Sequence, residues 1–318
     1  MRHVIAIVAA AASAAAACSK PDASTVDTSK AAAASAAPAA TAAAAKVGET
    51  AGMKTPESVR YDAELDVFYV SNINGNPSQH DGNGFIAIVR ADSTGNAPKM
   101  LVEGGKNGAK LDAPKGMALV GDTLWVADIN HVRAFNRRTG APIADIDLSA
   151  QKATFLNDVA IGGDGGVYVT DTGIAFDAKG GTSHPGVDQI FKIVGRKATS
   201  FKPDSLNAPN GIVWDAANGR FVLAPFGGAA VQTWKEGDKS TATLATGPGQ
   251  YDGVEVLGDG RVLVTSWADS AVHVVQNGSM SKLISGVNGP ADIGFDTKRG
   301  LVAIPLFNDG KVEYWKVP

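Results

Sequence analysis

Six segments of the sequence share one pattern, in which a polar residue and a small or acidic residue precede an alternating apolar run. The segments are TPESVRYD, APKGMALV, FLNDVAIG, APNGIVWD, YDGVEVLG and GPADIGFD. Their polar residues are Glu57, Lys115, Asn157, Asn210, Asp252 and Asp292. Successive polar residues lie 58, 42, 53, 42 and 40 positions apart. A period of about 40 to 50 residues is typical of repeat proteins, so the sequence predicts six copies of one structural unit.

Each copy continues with a turn and a second apolar strand, for example VFYVSN in the first and VLVTSW in the fifth. Most copies then add two more strands, and four antiparallel strands are the content of a propeller blade. The abundance of glycine, 37 residues, also favours short strands and turns over long helices. The sixth copy has only three strands before the chain ends. We therefore predict an all-β, six-bladed β-propeller over residues 46–318, whose last blade is completed by a strand near residues 46–54.

The first 45 residues do not resemble a folded domain. A short positive start, MRH, precedes a 14-residue apolar run, which is typical of a secretory signal peptide over residues 1–17. The run ends in AAAC and resembles the lipobox of bacterial lipoproteins, which implies lipidation of Cys18; cleavage after one of the alanines is the alternative. Residues 18–45 are rich in Ala, Ser, Thr and Pro and predict a flexible tether.

These features predict an exported, periplasm-facing lipoprotein that contacts the membrane through its N-terminal lipid only. Ser19 follows the cysteine, and the absence of Asp there is compatible with the outer membrane of a Gram-negative bacterium. The formal net charge of −3 leaves no basic excess for nucleic acid. A single cysteine excludes an intrachain disulfide. We expect a monomer whose partner is a small molecule.

In a propeller, the first strand of each blade lines the central channel, so the six polar residues should converge at one mouth of that channel. Glu57, Asn157, Asn210 and Asp252 would supply two carboxylates and two amide oxygens there. Such hard oxygen donors suit Ca²⁺, or Mg²⁺ and Mn²⁺, and suit Zn²⁺ less well. The alternative is that these side chains only bond to the backbone where the strands begin.

The same four motifs resemble the regucalcin and gluconolactonase group of six-bladed propellers, with the paraoxonases as more distant relatives. The metal ligands of that family are a Glu in the first blade and residues in N-D or N-G, P-N-G and D-G steps. They correspond to Glu57, Asn157, Asn210 and Asp252, and the resemblance covers roughly residues 53–318. It implies one divalent cation and the hydrolysis of a lactone, with Asp252 as both ligand and acid/base. A carboxylate held against a cation has a lowered pKa and is a weak base.

Lys115 departs from the family pattern, which has an arginine or, in paraoxonase-type lactonases, a histidine in this region. Lys115 could bind a carboxylate or hydroxyl of the substrate, or offset the acidic ring. Polar, glycine-rich insertions over residues 72–84 and 172–188 are typical of substrate lids. We predict Lys115, Asn157, His184 and Trp267 as contacts for a substrate that is a lactone or a sugar acid derivative.

Two other classes of function are compatible with the sequence. A propeller of this type can serve as a non-catalytic module that binds a ligand or a protein in the cell envelope. A lyase or a quinone-dependent oxidoreductase is the third candidate, and the absence of a cysteine pair argues against the oxidoreductase.

Overall fold

A computed structural model describes residues 43–318 of the chain. The predicted signal peptide, Cys18 and the predicted tether up to residue 42 lie outside the described residues. Over 43–318 the chain is almost entirely β structure, and the helical element described there is a 3₁₀ turn at Ser149–Gln151. This part of the chain contains no helix that is long and apolar enough to cross a membrane.

The strands form six four-stranded antiparallel sheets, which confirms the predicted six-bladed propeller. Blade 1 contains β2 (Pro56–Asp62), β3 (Val67–Asn72), β4 (Phe85–Arg90) and β5 (Lys99–Glu103). Blade 2 contains β6 (Pro114–Val120), β7 (Thr123–Asp128), β8 (His131–Asn136) and β9 (Pro142–Asp147). Blade 3 contains β10 (Leu156–Ile161), β11 (Val167–Asp171), β14 (Gln189–Val194) and β15 (Lys197–Phe201). A small hairpin, β12 (Ala175–Phe176) and β13 (Thr182–Ser183), interrupts blade 3. Blade 4 contains β16 (Pro209–Asp215), β17 (Arg220–Pro225), β18 (Ala230–Trp234) and β19 (Ala242–Thr246). Blade 5 contains β20 (Tyr251–Val256), β21 (Val262–Ser266), β22 (Ala271–Gln276) and β23 (Ser279–Ser285). Blade 6 contains β24 (Gly294–Asp296), β25 (Leu301–Leu306), β26 (Lys311–Lys316) and β1 (Ala45–Ala51).

The N-terminal strand closes the ring as predicted. β1 pairs antiparallel with β26 on the outer edge of the last blade. The strand ends at Ala51, earlier than the predicted residue 54, because Gly52 and Thr55 adopt positive φ angles and turn the chain toward β2. β1 covers the otherwise unpaired edge of β26 and gives the sixth blade its fourth strand.

Six hydrophobic clusters, each packed between two neighbouring blades, make up most of the core of residues 43–318. Successive side chains of a strand point to opposite faces of its sheet. In β21, for example, Val262 and Val264 pack toward blade 4 and Leu263 packs toward blade 6. Both faces of each blade are therefore buried, which explains why the second strands are almost entirely apolar.

The first strands of blades 1 to 5 carry a register shift at the position of the repeated polar residue. A β-bulge places an extra residue in one strand and re-aims its side chains. The residue after the polar one is often glycine because the neighbouring first strand lies against it. A Cβ on Gly211 would lie 2.2 Å from the carbonyl oxygen of Asp252, and one on Gly253 would lie 2.5 Å from Cα of Asp292. Small residues here allow the polar residues of adjacent blades to approach each other.

Candidate active site

The four predicted oxygen donors line one cavity of about 400 Å³ at the mouth of the channel. Glu57, Asn157, Asn210 and Asp252 come from β2, β10, β16 and β20, and each is at most 5% exposed. The volume is in the range of small-molecule sites. The bulges at the start of the first strands thus bring together four side chains that lie far apart in the sequence.

Each of the four side chains has a buried oxygen atom without a hydrogen-bond partner. These atoms are Oε2 of Glu57, Oδ1 of Asn157, Oδ1 of Asn210 and Oδ1 of Asp252. A buried oxygen without a partner is costly, and four of them around one cavity match the donor set of a hard cation. Among residues 43–318 no group of three or more His, Cys, Asp or Glu side chains is placed to hold a metal ion. The candidate centre uses two carboxylates and two amides instead.

Hydrogen bonds behind the site determine which atoms face the cavity. Nδ2 of Asn157 donates to Oγ1 of Thr172 (2.9 Å), and Thr172 donates in turn to the carbonyl of Pro209 (2.8 Å). The amide of Asn157 is therefore oriented with its oxygen free. Nε1 of Trp267 donates to Oδ2 of Asp252 (2.9 Å), which leaves Oδ1 without a partner. Thr172 was not predicted as a residue of the site; the sequence signals were its position just after the second strand of its blade and at the start of the insertion over residues 172–188.

Lys115 lies in the same cavity and is almost fully buried, at 1% exposed. Its Nζ donates to the carbonyl of Ala113 (3.0 Å) and lies 4.2 Å from the ring centre of Phe155. Burial lowers the pKa of Lys115 to about 8, although the carboxylate of Glu57 acts in the opposite direction. The ammonium group thus faces the acidic ring while two local contacts restrain it.

Burial strongly changes the pKa values of the two carboxyl groups of the site. Burial raises the pKa of Glu57 well above its usual value, and the charges of Asp252 and Asp292 raise it further while Lys115 lowers it. Burial also raises the pKa of Asp252, and Asp292 adds to that effect. A bound cation would favour the charged form of both carboxylates, because it would supply the compensating positive charge that the site needs.

Asp292, the sixth repeated polar residue, belongs to a second cluster further along the channel. Arg60 is at its centre and contacts Glu255 (2.6 Å), Asp292 (3.1 Å) and Asp158 (3.8 Å). Nε of Arg60 also donates to the carbonyl of Met117 (2.7 Å). This Arg60 cluster joins five of the six blades. Sequence reasoning missed it, although an arginine inside an otherwise apolar first strand was a visible signal.

Polar residues at the ends of the second strands have a structural role. Asp128 accepts hydrogen bonds from the backbone N–H groups of residues 112 and 113, and Asp171 accepts them from residues 154 and 155. Asn72 accepts one from Lys54. Hydrogen bonding to the backbone where a strand begins was the alternative interpretation of the repeated polar residues. In the structure, it is Asn72, Asp128 and Asp171 that bond to the backbone in this way.

The two insertions meet each other at the cavity. Nδ2 of Asn76 donates to the carbonyl of Asp177 (2.7 Å), and the N–H of Phe176 donates to Oγ of Ser78 (3.0 Å). Pro77 and Phe176 line the cavity from these insertions. The insertions therefore form one joined wall built from blades 1 and 3.

The structure does not place His184 among the residues that line the cavity. Its Nε2 lies 2.8 Å from Oδ1 of Asp188 and 3.2 Å from the carbonyl of Thr172, and half of the side chain is exposed. His184 thus bonds within the insertion, next to the cavity-lining Thr172, and its contact with a substrate stays a prediction. Trp267 does line the cavity, as do Lys115 and Asn157.

Fold and site together define a six-bladed propeller with an oxygen-donor cavity at one end of its channel. Residues 55–293 match the family described as SMP-30/Gluconolactonase/LRE-like region. The chain belongs to this family, as the sequence motifs indicated. No protein of curated function matches the sequence significantly.

Several solved structures share the fold. A proposed gluconolactonase aligns with a TM-score of 0.63 at 14% identity, covering 88% of this chain and 93% of its own. A catalytically inactive variant of virginiamycin B lyase from Staphylococcus aureus, solved with quinupristin, aligns with a TM-score of 0.58 at 12% identity, covering 85% and 99%. A streptogramin B lyase aligns with a TM-score of 0.57 at 13% identity, covering 84% and 94%. At these identities the similarity establishes the fold alone.

Proposed function

We propose that this protein is a divalent-metal-dependent hydrolase of a lactone or a related ester. The observation that carries the proposal is the set of four buried, unpartnered oxygen atoms around one cavity. Glu57, Asn157, Asn210 and Asp252 would hold the cation, and Ca²⁺ suits a site made entirely of oxygen donors. Mg²⁺, Mn²⁺ and Zn²⁺ are the alternatives that a metal analysis separates.

In the proposed reaction, the oxygen of water bonds to the lactone carbonyl carbon and the ring C–O bond breaks, giving a hydroxy acid. A bound cation would supply Lewis acidity that polarises the carbonyl group. Asp252, to which the family resemblance gives both the ligand and the acid/base role, would accept a proton from the attacking water and return it to the leaving ring oxygen. Trp267 holds Oδ2 of Asp252 in place. The Lys115 ammonium supplies positive charge close to the carboxylates.

The proposal is tested on protein purified without added ions. Metal content is measured first, and hydrolysis of aldono- and acyl-lactones is then followed by pH-stat, with and without EDTA. We expect a bound divalent cation, EDTA-sensitive hydrolysis, and a loss of activity of at least about 100-fold in Asp252→Asn. Asp259→Asn, in an exposed turn, is the matched control and should retain activity.

A non-catalytic binding propeller is the second candidate, and one observation favours it. Glu57 and Asp252 are the only carboxylates among the described residues lining the cavity, and both are assigned as ligands. No separate carboxylate is therefore available there as a base. If the protein binds metal but opens no lactone, and Asp252→Ala changes only thermal stability, the binding function replaces the hydrolase.

For the N-terminal region we propose export and lipid anchoring at Cys18, facing the periplasm. The support is the signal-like run before Cys18 and the start of the described fold at β1, well after the cysteine. On this proposal the monomeric propeller contacts the membrane through its lipid only and meets a small-molecule substrate in solution.

A further inference from the structure

We infer that the cavity selects lactones with an apolar alkyl or aryl substituent over polyhydroxylated sugar lactones. This inference rests on the proposed hydrolase function and specifies its substrate class. Its basis is the distribution of polar and apolar groups around the cavity.

An aromatic arc forms the wall contributed by blades 4 to 6. Phe226, Trp267 and Phe307 each follow the second strand of their blade and are each partly exposed. The ring centres of Phe226 and Trp267 are 6.1 Å apart at an interplanar angle of 74°, and those of Trp267 and Phe307 are 5.4 Å apart at 61°. All three line the cavity, so the arc is a continuous apolar surface.

The opposite wall is also apolar. Ile174, Phe176 and Pro77 line it from the joined insertions. The ring of Phe176 lies 5.7 Å from that of Phe155, which covers the buried Lys115. A substituent extending from the metal centre is therefore enclosed by hydrocarbon on both sides.

The cavity has few polar side chains left for the hydroxyl groups of a sugar. Four of its polar side chains form the candidate metal centre, and Thr172 is already bonded to Asn157 and Pro209. Lys115 is restrained by Ala113 and Phe155. Thr182 is the only other polar side chain among the described residues lining the cavity. A sugar lactone would lose water from several hydroxyl groups without gaining partners, whereas an alkyl chain would gain from leaving water.

The test measures kcat/KM of the metal-loaded protein for γ-lactones with 5-alkyl chains from methyl to heptyl, and for D-glucono-1,5-lactone. We expect kcat/KM to rise about fourfold for each of the first few methylenes, the value for full transfer of a CH₂ group from water. D-glucono-1,5-lactone should be poorer than the methyl compound. A flat series, or a preference for the sugar lactone, overturns the inference.

Substitutions in the arc test whether this wall causes the preference. Phe226→Ala and Phe307→Ala should lower kcat/KM for the heptyl lactone at least about tenfold more than for the methyl lactone. Val194→Ala, at a site that is 62% exposed and outside the cavity, is the matched control and should leave the series unchanged. An unchanged series in both arc variants overturns the inference. Trp267 is not used because its indole also holds Asp252.

A binding series separates failure of this inference from failure of the hydrolase proposal. If neither lactone class is opened, the hydrolase proposal is rejected, and affinity for inert 2-alkylcyclopentanones is measured by calorimetry. Affinity that rises with chain length, and less steeply in Phe307→Ala, supports the apolar wall without catalysis. Affinity that is independent of chain length overturns it.

Discussion

The hydroxyl group of Thr172 should control the affinity of the metal centre without contacting the cation. Thr172→Val keeps the shape of the side chain but removes the hydrogen bond from Asn157 (2.9 Å) and the one to Pro209 (2.8 Å). Two buried hydrogen bonds at about 0.5–1.5 kcal/mol each give a loss of about 1–3 kcal/mol in the free energy of unfolding. The amide of Asn157 also loses its fixed orientation, and the loss of such a supporting contact weakens metal binding by about 10–100-fold.

Isothermal titration with Ca²⁺ and urea denaturation measure the two effects separately. Thr172→Ser retains the hydroxyl group and should restore most of the affinity. Thr50→Val is the matched control: its buried hydroxyl bonds to the carbonyl of Thr94 and to the hydroxyl of Tyr314 (3.1 Å), and Thr50 does not line the cavity. The control should lose similar stability with little loss of affinity. Normal Ca²⁺ affinity in Thr172→Val, with the expected loss of stability, would refute Asn157 as an oriented ligand.

Three further predictions concern the channel and the N-terminus. Gly211→Ala should destabilise the fold by about 1–3 kcal/mol and weaken cation binding, because its Cβ would lie 2.2 Å from the carbonyl oxygen of Asp252. Gly258→Ala, which has open space around it, should change neither the stability nor the cation affinity measured by calorimetry. Burial raises the pKa of the Glu255 carboxyl to about 7. The protonated carboxyl therefore contributes up to about 3 kcal/mol to the free energy of unfolding. This contribution is complete below about pH 4.5 and is lost as the pH rises through about 7. Glu255→Gln should flatten that part of the pH–stability curve, and an unchanged curve would contradict the assignment. Mass spectrometry of the mature N-terminus should find a lipid on Cys18, and an unmodified alanine N-terminus would indicate simple cleavage instead.

Almost all of the fold could be predicted, because the sequence patterns that specify it are short and recur in every blade. The alternation within each segment specifies a strand, and six copies at a regular period specify the number of blades. The missing fourth strand of the last copy predicted the closing strand. The boundaries of β1 were less accurate, because the positive φ angles of Gly52 and Thr55 end it early.

The candidate site was only partly predictable. The repeat aligned Glu57, Asn157, Asn210 and Asp252, since equivalent positions in a ring of blades face one channel. It could not distinguish them from Asp292, which has the same place in the pattern but contacts Arg60 in the structure. The difference arises from side chains of other blades, which no local pattern contains.

By itself, the sequence determined the class of fold and the number of blades, and it placed the candidate oxygen donors at equivalent positions of the repeat, because strand alternation and repetition act over short distances along the chain. Only the tertiary structure decided which atoms of those donors are free, since Thr172 and Trp267 orient them across neighbouring strands. It also decided that His184 is not among the residues that line the cavity and that aromatic residues from three blades form one wall. These properties depend on distances between residues that are remote in sequence, and ring closure alone brings them together.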